Sequence, residues 1–190
     1  MRRSLTLLVS TFAAIGVTLA AAAPAGAVSS VHYVALGDSY SSGVGAGNYI
    51  PSSGSCDRSP NAYSALWAAA HAPATYNSVA CSGATTSTVN NTQLSALDAT
   101  TTLVSITIGG NDVGFANIME TCVLQGTSAC VAAVQQAENI AQSTLPGLLN
   151  TTYNNIRAHA PNAEVVVLSY PVFYQLGTFC IGLCSVSASM

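Results

Sequence analysis

The chain has 190 residues, a length for one domain, and its four basic against seven acidic residues leave a net charge of −3. So little positive charge excludes a surface able to neutralise nucleic-acid phosphates, and no acidic interaction tail is present. Surface polarity therefore falls to Ser, Thr, Asn and Gln, which suits an extracellular protein.

Arg2 and Arg3 precede an apolar run from Leu5 to Ala23, and Ala25-Gly26-Ala27 follows with the small-x-small pattern that signal peptidase reads. Residues 1–27 are expected to be a secretory signal rather than a transmembrane helix. The exported domain is then 28–190, secreted and without a stable membrane anchor. Val31 to Leu36 reads as a buried strand ending at Gly37. Asn61 to His71, after Pro60, has the apolar spacing of a helix. Thr75 to Ala80 and Leu103 to Ile108 read as the second and third strands. Ala129 to His159 reads as helix with a break near Pro146-Gly147, and Glu164 to Leu168 as a fourth strand. Strands of continuous apolar residues alternating with helices predict a parallel sheet covered on both faces. Trp67 and Phe115 are expected in its core. Active groups of such sheets gather beyond the carboxyl ends of the strands, where Ser39, Gly83, Asn111 and Tyr170 fall.

Six cysteines, at 56, 81, 122, 130, 180 and 184, all lie after the signal. In an oxidising compartment an even number predicts disulfides, with fifteen pairings open. No CxxC occurs and no His lies at zinc-finger spacing from a Cys, so neither a metal nor another cofactor is expected.

Three strand ends carry the sequences GDSYS (37–41), CSGATT (81–86) and GGND (109–112). A serine hydroxyl needs a base and oxyanion donors to act as a nucleophile. Ser39 supplies the hydroxyl, while the Ser39 and Gly83 N–H groups and the Asn111 amide supply donors. Gly83 suits this role because a missing side chain admits substrate to the backbone.

On these blocks, from Tyr33 to Leu183, the sequence resembles the SGNH, or GDSL-type, hydrolases, and more narrowly their secreted, disulfide-bonded SEST-like esterase and lipase branch. ALGDSYSSGVG, ACSGATT, ITIGGNDVGF and SYPVFYQLG carry the resemblance. It implies a three-layer α/β/α, flavodoxin-like fold with a mainly parallel sheet. It implies Ser39 as nucleophile, Ser39, Gly83 and Asn111 as the oxyanion hole, and Asp38 and Asp112 as braces of their loops. Tyr40 and Tyr170 fall near the same site. The resemblance also favours the pairs Cys56–Cys81 and Cys122–Cys130, with Cys180 either paired to Cys184 or free.

The implied activity is hydrolysis of carboxylic esters through an acyl-Ser39 intermediate, by a monomer acting on a lipid or small-molecule ester. The family's last block, a DxxH or related motif bearing the catalytic His, has no counterpart. His32, His71 and His159 are the histidines present, all before Pro171, and each is expected to be structural or solvated. The chain is accordingly expected to be C-terminally incomplete, lacking the last strand, helix and His loop. The alternative is a non-catalytic secreted module that binds acyl or glycan ligands on the same fold.

Overall fold

The computed structural model describes residues 29–171. The expected signal sequence and the cysteines at 180 and 184 lie outside the described residues. Four strands, β1 (His32–Gly37), β2 (Thr75–Ser78), β3 (Leu103–Thr107) and β4 (Glu164–Val167), form one parallel sheet in the order β2-β1-β3-β4. Crossover connections between parallel strands carry the helices to the two faces.

The alternation of β1 divides the interior. Tyr33 and Ala35 face one side with Ala68 and Trp67 of α2 (Tyr63–His71). Val34 and Leu36 face the other, in register with Val104 and Ile106 of β3. That second face packs against Ile156 of α6 (Leu145–His159) and against Val89 and Leu94 from the turns following α3 (Thr86–Thr88). The result is three layers, helix on sheet on helix, with β1 and β3 at the centre.

Three details depart from the sequence reading. The outer strands are not buried runs: β2 is the half-exposed TYNS, and Val166 and Val167 of β4 are 40% and 50% exposed. The long helical stretch begins earlier and breaks earlier. It comprises α5 (Gly126–Ser143) and α6, and Pro146 sits in the first turn of α6, where its missing N–H costs nothing. Phe115 is not core; it opens α4 (Phe115–Leu124), a helix with no buried residue, and is 42% exposed.

Two disulfides are present, Cys56–Cys81 and Cys122–Cys130. The second clips α4 to α5. No helix among the described residues is long and apolar enough to cross a membrane.

Candidate active site

The turn that presents Ser39 is held by a glycine. Gly37 ends β1 at φ 119°, and a Cβ there would lie 2.3 Å from the Thr107 carbonyl oxygen and 2.6 Å from Ser41 Oγ. Only glycine combines that backbone with that clearance. The Gln93 side chain grips the same residue from behind: Gly37 N–H donates to Oε1 at 2.7 Å, and Nε2 donates to the Gly37 carbonyl at 2.9 Å. Asp38 then turns the chain. Its N–H donates to the Thr107 carbonyl at 3.0 Å, and its carboxylate caps the four-residue helix α1 (Ser39–Ser42) by accepting the Tyr40 N–H at 3.0 Å. Ser39 is the first residue of α1 and half-buried, and its hydroxyl makes no hydrogen bond among the described residues.

The second loop docks directly on this turn. Cys81 N–H donates to the Gly37 carbonyl at 3.0 Å, which brings the Cys56–Cys81 bridge and Gly83 to the end of β1. Gly83 is exposed at φ 76°, and a Cβ would meet nothing within 4 Å. Its glycine is thus required by the left-handed backbone, and the space before it is open.

The third loop is stitched to the second. Asn111 Nδ2 donates to the Ala84 carbonyl at 2.8 Å, and Asp112 accepts the Thr86 N–H at 3.0 Å together with the Thr86 hydroxyl. Asp112 is a brace of the loop in the plain structural sense. An amide nitrogen carries two hydrogens, so the second Asn111 hydrogen has no partner among the described residues. Neither the Ser39 nor the Gly83 N–H donates to a described residue. Three uncommitted donors and one uncommitted hydroxyl therefore belong to one rim of the sheet.

Beneath the rim the polar groups are spent on each other. Asp38 is 1% exposed and accepts from Thr107 Oγ1 at 3.0 Å and from the Tyr170 hydroxyl. Burial pushes its carboxyl above the usual range, while the hydrogen bonds from Tyr170, Tyr40 and Thr107 act against that rise. Thr107 Oγ1 meets Ser41 Oγ at 2.6 Å, and Ser41 Oγ meets the Tyr63 hydroxyl at 2.9 Å. Tyr63 continues to Ser105 Oγ at 3.4 Å, which pairs with the Tyr33 hydroxyl at 2.7 Å. Every buried polar side-chain atom among the described residues finds a partner, so the floor of the rim is rigid.

The three histidines sit toward the amino-terminal ends of the strands, away from Ser39. His32 is the first residue of β1 and its Nδ1 lies 3.1 Å from Thr75 Oγ1, at the start of β2. With Ser39 past the far end of a six-residue strand, about 20 Å of chain separates the two. His71 ends α2, with Nδ1 on the Trp67 carbonyl and its ring stacked on Trp67 at 4.3 Å. His159 ends α6, with Nδ1 on the Asn155 carbonyl at 2.9 Å. No three His, Cys, Asp or Glu residues among those described are grouped to hold a metal.

Sequence reading singled out Ser39, Gly83, Asn111, Asp38 and Asp112, which lie on the loops of this rim, and it did not single out Gln93, Thr107 or Ser41, which support them. Gln93 lies in the polar stretch VNNTQ and is nevertheless only 2% exposed. Only its partner Gly37, distant by 56 residues, explains it.

Comparison with known proteins shows the family and the fold. The model of the GDSL-like Lipase/Acylhydrolase family matches residues 35–182. Lipase 1 of Streptomyces coelicolor is 60% identical over 151 residues, which cover 80% of this chain and 56% of that protein. The chain thus spans little more than half of that relative. The crystal structure of phospholipase A1 from Streptomyces albidoflavus NA297 superposes with a TM-score of 0.78 at 58% identity, covering 80% of this chain and 65% of that one. An extracellular lipase from Streptomyces rimosus does so with a TM-score of 0.78 at 56% identity, covering 82% and 67%.

Proposed function

This chain belongs to the GDSL-like Lipase/Acylhydrolase family, and from that membership we propose that it serves an exported carboxylic ester hydrolase in which Ser39 is the nucleophile. Ser39 Oγ attacks the ester carbonyl, and the oxyanion is received by the Ser39 N–H, the Gly83 N–H and the free hydrogen of Asn111 Nδ2. The alcohol leaves, and water releases the acid from acyl-Ser39. The observation that carries this reading is the set of uncommitted donors beside an uncommitted hydroxyl, where the buried polar side-chain atoms of the described residues are otherwise satisfied. Residues 1–27 act as the secretory signal and the domain works as a monomer on a lipid or small-molecule ester. The extracellular lipase to which it is similar supports export.

The proton acceptor for Ser39 is none of His32, His71 or His159, because each is engaged toward the opposite ends of the strands. This same observation favours a second reading, a module that binds acyl or glycan ligands without turning them over. One experiment separates the two. The 190-residue chain is incubated with p-nitrophenyl butyrate, with and without imidazole as an external base. Hydrolysis that imidazole accelerates and Ser39→Ala abolishes supports the enzyme. Binding of the ester with no Ser39-dependent turnover at any imidazole concentration supports the binding module.

A further inference from the structure

Tyr170 follows β4, half-buried, and its hydroxyl makes two hydrogen bonds at the rim. It donates to Asp38 Oδ2 and accepts the Gly110 N–H at 3.0 Å. These two residues immediately precede Ser39 and Asn111 in the chain. A single oxygen atom thus joins the turn after β1 to the loop after β3, one residue away from each candidate functional group. The Asp38 end is firmly held. Asp38 is 1% exposed, and its Oδ1 accepts both the Tyr40 N–H and the Thr107 hydroxyl at 3.0 Å, which leaves Oδ2 to Tyr170.

The other two sides of the rim have ties of their own. The Cys81 N–H on the Gly37 carbonyl joins the first turn to the second loop. Asn111 on the Ala84 carbonyl, and Asp112 on Thr86, join the second loop to the third. No backbone hydrogen bond of the described residues joins 109–112 to 37–42. Tyr170 closes that third side. The second glycine of GGND fits the same arrangement. Gly110 is not among the glycines of positive φ, so its backbone does not require glycine. The tyrosine does: a Cβ at 110 would lie 3.1 Å from both Tyr170 Cζ and the hydroxyl oxygen. The same ring meets Tyr40, the neighbour of Ser39, edge-on at 5.2 Å.

We propose that Tyr170 is a positioning residue for ester hydrolysis, its hydroxyl fixing the Ser39 N–H and the Asn111 amide at the separation that receives the oxyanion. It acts through Asp38 and Gly110 and touches no reacting atom. The assignment rests on the proposed roles of Ser39 and Asn111. Oxyanion donors work by being held in place before the charge develops, and a misplacement of about 1 Å at a catalytic group can cost about a hundredfold in rate. A hydroxyl bonded at both ends restrains two loops in distance and in angle, because hydrogen bonds weaken steeply as either departs from its optimum. Packing of the ring alone imposes no such direction.

The test measures p-nitrophenyl butyrate hydrolysis by the 190-residue chain at fixed imidazole, with each variant held below its melting range. Tyr170→Phe keeps the ring and loses both bonds. Tyr33→Phe is the control, because it deletes a hydroxyl that pairs with Ser105 at 2.7 Å and bonds to neither Asp38 nor Gly110. The expected result for Tyr170→Phe is a Ser39-dependent kcat lowered about tenfold to a hundredfold with KM within about twofold, whereas Tyr33→Phe keeps kcat within about twofold. In an Asn111→Ala background Tyr170→Phe lowers kcat by less than about threefold further, since one donor it positions is already gone. A loss no larger than that of Tyr33→Phe, or one undiminished in the Asn111→Ala background, overturns the proposal. Amide NMR signals read the link without turnover. Tyr170→Phe is expected to shift the Ser39 N–H and Asn111 side-chain resonances, and Tyr33→Phe to leave them in place. Resonances that stay in place in Tyr170→Phe overturn the proposal. If they move while the parent shows no Ser39-dependent hydrolysis, the link between the loops stands and the reading of Ser39 falls. Should Tyr170→Phe fail to fold, Gly110→Ala displaces the ring and retains the hydroxyl; a lowered kcat there supports the proposal and a parental kcat overturns it.

Discussion

The Tyr170 hydroxyl donates to the Asp38 carboxylate and accepts the Gly110 N–H at 3.0 Å, so one side chain following β4 ties the turn after β1 to the loop after β3. The ring crosses Gly110 where a Cβ would stand 3.1 Å from its Cζ, and it meets Tyr40 edge-on at 5.2 Å. Burial, then the hydrogen bond to Asp38, hold the Tyr170 phenol well above its usual range, so it stays a donor to Asp38 throughout the neutral range. Tyr170→Phe keeps the ring and leaves Asp38 and Gly110 each short of a partner. We expect a loss of about 1–3 kcal/mol in denaturant unfolding, the cost of unmet buried polar groups. A variant as stable as the parent would show that the clamp is incidental.

Gly37→Ala is expected to be the most damaging single change at the rim. The added methyl meets the Thr107 carbonyl at 2.3 Å in a backbone that disfavours a side chain. A loss above about 4 kcal/mol, seen as insoluble or unfolded chain, follows from clash and strain together. Gln93→Leu is the gentler probe of the same turn. It removes both hydrogen bonds to Gly37 at similar volume, and a loss of about 1–3 kcal/mol by thermal melting is expected.

High pH should unfold the domain well below the range in which its folded tyrosines ionise. Burial pushes Tyr33 up to about 12 and also raises Tyr63, Tyr153 and Tyr170. A phenol whose folded pKa is raised keeps its proton while the unfolded chain loses it, so stability falls as pH rises above about 10. For Tyr33, 3% exposed, the contribution reaches about 2–3 kcal/mol by pH 12. Melting temperature against pH measures this, and Tyr33→Phe should flatten the alkaline limb. A limb unchanged in that variant would contradict it.

Asp38 gives the opposite end of the profile. Its folded pKa is raised by burial, so between the ordinary carboxylate value near 4 and the raised one the folded state holds the extra proton. Stability in that window therefore declines as pH rises, and Asp38→Asn should remove this decline while retaining acceptance from Tyr40 and Thr107. A profile identical to the parent's across the acid range would show that Asp38 does not titrate there.

Whatever Ser39-dependent ester hydrolysis imidazole sustains, Asn111→Ala should lower it by about a hundredfold to a thousandfold, the usual effect of deleting one oxyanion donor. Because Asn111 also binds the Ala84 carbonyl, the melting temperature must be read beside the rate. A large rate loss with a small shift in melting assigns the amide to the oxyanion; equal losses would assign it to the loop.

The sequence alone determined the strands of the sheet centre and the three blocks that end at its rim. β1 and β3 are buried on both faces and mostly apolar, which only a doubly covered position accommodates, so VHYVAL and LVSIT were legible. Glycine and Asp-Ser or Asn-Asp pairs at abrupt strand ends were legible for a similar reason, since few residues fit such turns. Where the sheet is half open, the signal weakens. TYNS of β2 pairs with β1 through backbone groups that any side chain can supply. The supports of the site left no trace in their own neighbourhoods, because each answers to a distant partner. Gln93 is buried on account of Gly37, and Thr107 on account of Asp38. Local sequence records what a residue does to its own backbone. Which hydroxyls are spent, and which donors are left free at the rim, is decided only when β1, β3 and β4 lie side by side.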